Sequence, residues 1–262
     1  MHKVKAKLGD RWQMEELGVS LKGSSVQLNE EDMDGGENTW NAPVSGTIYG
    51  TLLNYKGALK KMGEALHNDP YKAPPKAPIM YIKPQNTVIG HQASIPLPDD
   101  MEELEVGACL GIVMGKKAAR VKAEQAFDYI EGYTVVNDIS VPHESVFRPA
   151  VKHKARDGFC PIGPWIIEKN AVPNPDQLGI QVYINGEWKQ SNNTENLVRS
   201  VSRLLADVTE FMTLEKGDTL LVGVPEDPPL AKDGDHIRIE IDQVGVLENV
   251  VSKNKAFGRN ES

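Results

Sequence analysis

Cysteine is nearly absent from this chain: Cys109 and Cys160 are its only two. That is too few for a disulfide scaffold, and no Cys-x-x-Cys spacing offers a zinc site, so both are expected as reduced thiols in or near the core. No apolar run approaches the ~20 residues needed to span a bilayer, and Met1 to Gly23 lacks a hydrophobic stretch followed by a small-residue cleavage site. The expected compartment is cytoplasmic, with no membrane partner. Fixed-period repeats and low-complexity tracts are also missing, which excludes solenoids and propellers. Positive charge is scarce, the formal net charge being -8, and no basic stripe exists for a nucleic-acid backbone to reward.

Within this acidic chain, one short segment stands apart. From Arg148 to Trp165 the sequence places Arg148, Lys152, Lys154 and Arg156 together, then Asp157, Gly158, Pro161, Gly163 and Pro164. A run of charge is ordinarily a solvated loop. Stiff punctuation directly after the charges favours a pinned loop that grips an anion, so the expected partner is a small acidic molecule.

At 262 residues the chain can bury a real core in one large domain or two small ones. Residues 1 to 45 read as a small hairpin-rich lead-in with an acidic patch at Glu30, Glu31, Asp32 and Asp34; residues 46 to 262 form the main domain. Leu59, Met62 and Leu66 give helical spacing over Tyr55 to His67. The prolines between Pro70 and Pro78 demand an extended connection into a strand at Ile79 to Ile82. Strands are predicted at Leu104 to Met114 and Tyr133 to Val136, with a helix at Lys122 to Ile130 whose Ala126, Phe127 and Ile130 share a face. Further strands are expected at Gly179 to Ile184, Thr219 to Val224, His236 to Ile241 and Val246 to Val251. The strongest helical stripe runs from Glu195 to Met212, capped by Asn193 or Thr194. The fold class is therefore α+β and β-rich, with a few helices around the sheets.

Several ordered motifs resemble one family. Leu53-Asn54-Tyr55, Tyr81-Ile82-Lys83-Pro84, Gly132-Tyr-Thr-Val-Val-Asn-Asp138 and Lys154-Ala-Arg-Asp-Gly-Phe-Cys-Pro-Ile-Gly-Pro164 are similar to signatures of the fumarylacetoacetate hydrolase family. Asn185-Gly-Glu-Trp-Lys-Gln190, Thr194 and Phe211-Met-Thr-Leu-Glu-Lys-Gly-Asp218 continue the match. The resemblance implies a mixed β-sandwich or roll with peripheral helices. Within the family, Tyr71-Lys-Ala-Pro-Pro-Lys and the Lys154 segment look most like members that isomerise or decarboxylate 5-carboxymethyl-2-hydroxymuconate-type polycarboxylates during 4-hydroxyphenylacetate breakdown. Two such units occur together there, which implies a homodimer or a heteromer with a paralogous subunit.

Departures from the family narrow the chemistry. Family members bind Mg²⁺ or Mn²⁺ through Glu-x-Glu on one strand and Asp on the next, because a hard cation needs converging carboxylate oxygens. Here the first two positions are Gly107 and Cys109, and only Asp138 remains. A metal is not expected on such a set; Glu102, Glu103 and Glu105 read as ordinary loop charge. The family's His and Glu after Asn54-Tyr55 are replaced by Ala58 and Lys61, and its Thr-Gly-Thr-Pro by Val222-Gly-Val-Pro225. Tautomerisation needs carboxylate anchors and a proton carrier but no metal-held water. The resemblance then implies Lys154 and Arg156 at the oxo-acid end, Arg148 or Lys83 at the distal carboxylate, and Gln190 as a hydrogen-bond donor. Asp138, freed of a metal, is the first candidate base, followed by His143 and His153. Cys160 is expected as a buried filler and Asp157 as a turn residue. A decarboxylase or C–C hydrolase, and a non-catalytic subunit paired with a metal-binding one, are the alternative readings.

Overall fold

The computed structural model describes residues 2–9, 13–29, 40–143 and 151–253. Among these the strands gather into two main sheets and a short ladder. The larger sheet has eleven strands, and its path runs Ser25–Leu28, Glu15–Lys22, His2–Leu8, Cys160–Glu168, Ile130–Asn137, Ala108–Met114, Thr219–Leu221, Ile48–Leu52, Ile79–Lys83, with Trp40–Asn41 beside His2–Leu8 and Val88–Ile89 beside Cys160–Glu168 off that path. The smaller sheet orders Glu187–Asn193, Gly179–Ile184, His236–Ile241, Gly245–Ser252 and Ser94–Pro96. The ladder pairs Leu230–Lys232 with Glu103–Glu105.

Burial follows from sequence pattern. Ala108–Met114 is buried at every position and Ile130–Asn137 at all but one, as expected of central strands covered on both faces. Gly179–Ile184 alternates half-buried and buried residues, the signature of a sheet with one wet face. The two sheets meet where Trp165 donates its indole N–H to the Val244 carbonyl at 2.8 Å and packs edge-to-face on Trp40.

The strands of the lead-in pair as antiparallel hairpins, and His2–Leu8 also pairs with Cys160–Glu168 of the larger sheet. Several expectations are corrected. The central strand Cys160–Glu168 was read as a loop: Pro161, Gly163 and Pro164 lie inside it, near a register shift opposite Tyr133 and Val135. A bulge accommodates residues that an unbroken ladder would reject. The long helix expected from Glu195 begins as a single turn at Thr194–Asn196; the α-helix proper covers Val201–Phe211, capped by Ser200, whose Oγ accepts from the Arg203 N–H. Val198 and Phe211 are consequently exposed. Tyr55 to His67 splits into an α-helix over Lys56–Met62 and a 3₁₀ turn over Gly63–His67, of which only Leu66 is buried. The Lys122 segment is 3₁₀ over Ala123–Tyr129, and its i,i+3 geometry turns Phe127 outward. The Leu104 to Met114 strand is interrupted after Glu105 and resumes at Ala108.

Candidate active site

Strands ending at one place build the site. Asp138 follows the last residue of the fully buried end of Ile130–Asn137, and its N–H donates to the Gly107 carbonyl at 2.8 Å. The Gly107 N–H is held in turn by Asn137 Oδ1 at 3.0 Å. Lys83 ends the edge strand Ile79–Lys83, and Lys154 closes the one-turn helix Val151–Lys154. All three charged groups are buried.

Their geometry is a carboxylate between two ammonium groups. Lys83 Nζ lies 2.9 Å from Asp138 Oδ1 and Lys154 Nζ 3.0 Å from Oδ2. The Tyr81 hydroxyl also donates to Oδ2. Burial pushes the Asp138 carboxyl up, but Lys154 and Lys83, helped by Tyr81, outweigh it and hold the group well below the usual carboxylate range. Lys83 uses its remaining donors on the carbonyls of Ile139 at 3.1 Å and Lys154 at 2.7 Å. With two donors on carbonyls, its charge set against Asp138 and its side chain without exposure, Lys83 is no part of the cleft lining where a substrate's distal carboxylate was expected to meet it. Asp138 is likewise not free to act as a base.

Lys154 faces a cleft of about 460 Å³, whose walls include Lys61, Glu105, His143 and the Val224–Pro228 segment. Hollows of about 470 Å³ and about 700 Å³ elsewhere are bordered by paired surface charges, Lys5 with Glu131 and Arg203 with Asp207. No buried charges converge on either in the way they do here. Glu105 reaches the cleft because it forms a bridge with Ser140: its N–H donates to the Ser140 carbonyl at 2.9 Å and its carbonyl accepts the Ser140 N–H at 3.3 Å. Burial raises the Glu105 carboxyl, against the opposing charges of His143, Lys154 and Lys61. It is not the loop charge the sequence suggested.

His143 Nδ1 lies 2.9 Å from the Val141 carbonyl and 3.3 Å from Ser140 Oγ. A carbonyl can only accept, so the network assigns the proton to Nδ1 and leaves Nε2 with a lone pair in the neutral ring. The His153 ring stacks on it, 4.8 Å away and nearly parallel. His153 is half-buried and its pKa is lowered, by burial first and then by His143, Lys152 and Arg156; it stands behind His143 rather than in the cleft wall.

Other expected anchors lie elsewhere. Arg156 pairs with Asp100 at 3.2 Å and donates to the Lys152 carbonyl, away from the cleft. Arg148 falls outside the described residues. Gln190 spends its amide donors on the carbonyls of Glu226 at 2.7 Å and Asp227 at 3.0 Å, so it braces the cleft wall. Asp157 accepts from Asn86 at 2.7 Å, a loop-orienting contact. Both thiols are buried. Burial pushes Cys160 up to about 12 and Cys109 further, so neither supplies a thiolate at neutral pH.

The family's metal positions do not fit a divalent ion. A Cβ on Gly107 would come within 2.3 Å of the Asp138 carbonyl oxygen, a buried thiol occupies the second position, and the remaining carboxylate is already held by two ammonium groups. No group of three or more His, Cys, Asp or Glu suited to a metal occurs among the described residues. The sequence reading gave no site role to Tyr81 and only loop charge to Glu105. Strand alternation could have found Tyr81, since it shares a face with Lys83 on Ile79–Lys83. Gly50, directly opposite Tyr81, carries a further clue: any Cβ there would lie 2.1 Å from the Tyr81 ring.

Comparison with known proteins places these features in context. The model for the fumarylacetoacetate (FAA) hydrolase C-terminal family matches residues 47–252. A 4-hydroxyphenylacetate degradation bifunctional isomerase/decarboxylase from Escherichia coli is 43% identical over 208 residues, 79% of this chain and 47% of that protein. A mitochondrial oxaloacetate tautomerase from Xenopus laevis is 34% identical over 187 residues, 68% of this chain and 59% of that protein. The crystal structure of a 5-carboxymethyl-2-hydroxymuconate delta-isomerase from Mycobacterium smegmatis has a TM-score of 0.77, with 25% identity over 99% of this chain and 100% of that one. The chain spans about half the length of the bifunctional relatives it matches. None of the helices among the described residues is long and apolar enough to cross a membrane.

Proposed function

The chain belongs to the fumarylacetoacetate hydrolase family, and from that premise we propose that it is an isomerase. It moves a proton along 2-hydroxydienoate polycarboxylates of the 5-carboxymethyl-2-hydroxymuconate and 2-hydroxyhepta-2,4-diene-1,7-dioate kind. The observation that carries this reading is Lys154, whose ammonium is fixed by Asp138 at the cleft wall and has two further N–H groups for a ligand. They would bind the oxo-acid head and stabilise the enolate oxygen as charge develops there.

The reaction leaves the formula unchanged. The enol hydroxyl loses its proton, its electron pair forms the carbonyl, the double bonds shift, and a carbon of the chain accepts a proton. His143 Nε2 is suited to the first transfer and Glu105 to the second, because both line the cleft beside Lys154. The donor set around Asp138, a carboxylate already held by two ammonium groups, does not suit a divalent ion. The name of the Xenopus laevis relative agrees with proton transfer, since a tautomerase moves a proton between two positions of its substrate. A homodimer, or a heteromer with a paralogous chain, would supply the second unit that the longer relatives carry.

The test is isomerisation of the dienol by the purified chain in chelator, followed by ultraviolet absorbance. Lys154→Met is expected to lower kcat/KM by about 10²- to 10³-fold, the usual effect of removing one donor to an oxyanion. An unchanged value would sink the assignment. Release of carbon dioxide would point to decarboxylation, and activity only on adding a paralogous chain to a non-catalytic role.

A further inference from the structure

The charge arithmetic beneath the cleft bears on Lys83, which lies too deep to touch a ligand in the cleft. Asp138 and Lys154 alone would form a neutral pair, and a neutral pair has little attraction for an anion. Lys83 adds the missing charge. Its side chain and that of Asp138 are fully buried, whereas Lys154 is 9% exposed, so the trio carries one net positive charge that meets solvent only through Lys154. A lone lysine at the depth of Lys83, whose side chain has no exposure, would be costly to keep charged; the Asp138 carboxylate beside it offsets that cost.

We propose that Lys83 is a positioning residue that neutralises Asp138 and so leaves the Lys154 charge available to a planar carboxylate-enolate head. This rests on the reading of the cleft as an oxo-acid site. A purely structural alternative exists, because Lys83 also holds the backbone carbonyls of Ile139 and Lys154. The two roles separate in a double variant. Lys83→Met alone leaves Asp138 to cancel Lys154, whereas Lys83→Met with Asp138→Asn removes one charge of each sign and restores the net positive charge without restoring either carbonyl contact.

Oxalate, a planar dianion resembling an oxo-acid enolate, serves as the probe in calorimetric titrations of wild type and both variants at low ionic strength. Thermal melts confirm folding, and turnover of the dienol is measured on the same preparations. Lys83→Met is expected to weaken oxalate binding by about tenfold or more, and the double variant to recover most of that loss. If Lys83→Met does not fold, the double variant, which needs no counter-ion at position 138, is compared directly with wild type and should bind within a few-fold. Undiminished binding by a folded Lys83→Met, a folded double variant tenfold weaker than wild type, or no oxalate binding by wild type overturns the inference. Charge-dependent oxalate binding without turnover would instead uphold it and refute the isomerase assignment.

Discussion

Adding a single methyl group at Gly107 tests why the metal half of the family site is absent. The new Cβ would meet the Asp138 carbonyl oxygen at 2.3 Å, its carbon at 2.9 Å and Val224 Cγ2 at 3.1 Å. The first two are backbone atoms, and the Asp138 N–H is bonded to the Gly107 carbonyl, so the segment cannot yield without breaking its own pairing. Overpacking of this kind costs about 2–3 kcal/mol, which in a domain of this size lowers the melting temperature by roughly 5–10 °C. Gly111→Ala is the control, since its nearest neighbours are methyl tips of Thr134 and Val136 at 3.0 Å that can give way; its loss should be about 1 kcal/mol. The assay is thermal unfolding followed by circular dichroism. A companion variant, Gly107→Glu with Cys109→Glu, restores the family's carboxylates in sequence and should still bind no Mn²⁺ by electron paramagnetic resonance. A Gly107→Ala protein melting with wild type, or a folded companion that takes up one equivalent of Mn²⁺, would refute the steric reasoning.

Two other expectations concern stability. Glu105 has a folded pKa raised by burial, so the fold favours its protonated form; that advantage is complete below the ordinary carboxylate range and is lost as pH rises through the raised value. Glu105→Gln should therefore be more stable than wild type at neutral pH, match it at strongly acidic pH, and turn over more slowly, as urea midpoints and rates at both pH values would show. Asn54→Ala removes bonds to the Val222 carbonyl at 2.8 Å, the Arg199 carbonyl at 3.3 Å and the Arg199 N–H at 3.0 Å; a loss of about 3 kcal/mol in chemical denaturation is expected.

The legible parts of the fold were those with a clean period. Gly179–Ile184 and His236–Ile241 alternate and lie as expected. The Cys160–Glu168 strand was hidden because Pro161, Gly163 and Pro164 carry loop chemistry, and only the pairing with Val135 and Ile167's partner Tyr133 makes a bulged strand of them. For the site, the motifs included Lys83, Asp138 and Lys154, but did not show that the two lysines would share the one carboxylate. That depends on depth, which a sequence does not print. Arg156 misled for a related reason: Asp100, its partner, is 56 residues away, and charge runs do not announce distant counter-ions.

The parallel junction of Thr219–Leu221 with Ile48–Leu52 also orders events during synthesis. The Thr47 N–H waits for an Asp218 carboxylate 171 residues downstream, a delay of roughly 10–30 s at ordinary elongation rates. Through that interval Ile48–Leu52 can pair only with Ile79–Lys83, and its other edge stays open to any passing strand. The Val224–Pro228 wall emerges last of the cleft's parts. A nascent chain stalled short of residue 219 would hold Lys83, Asp138 and Lys154 without the strand that closes the sheet beside them, so chaperone dependence should concentrate in that window.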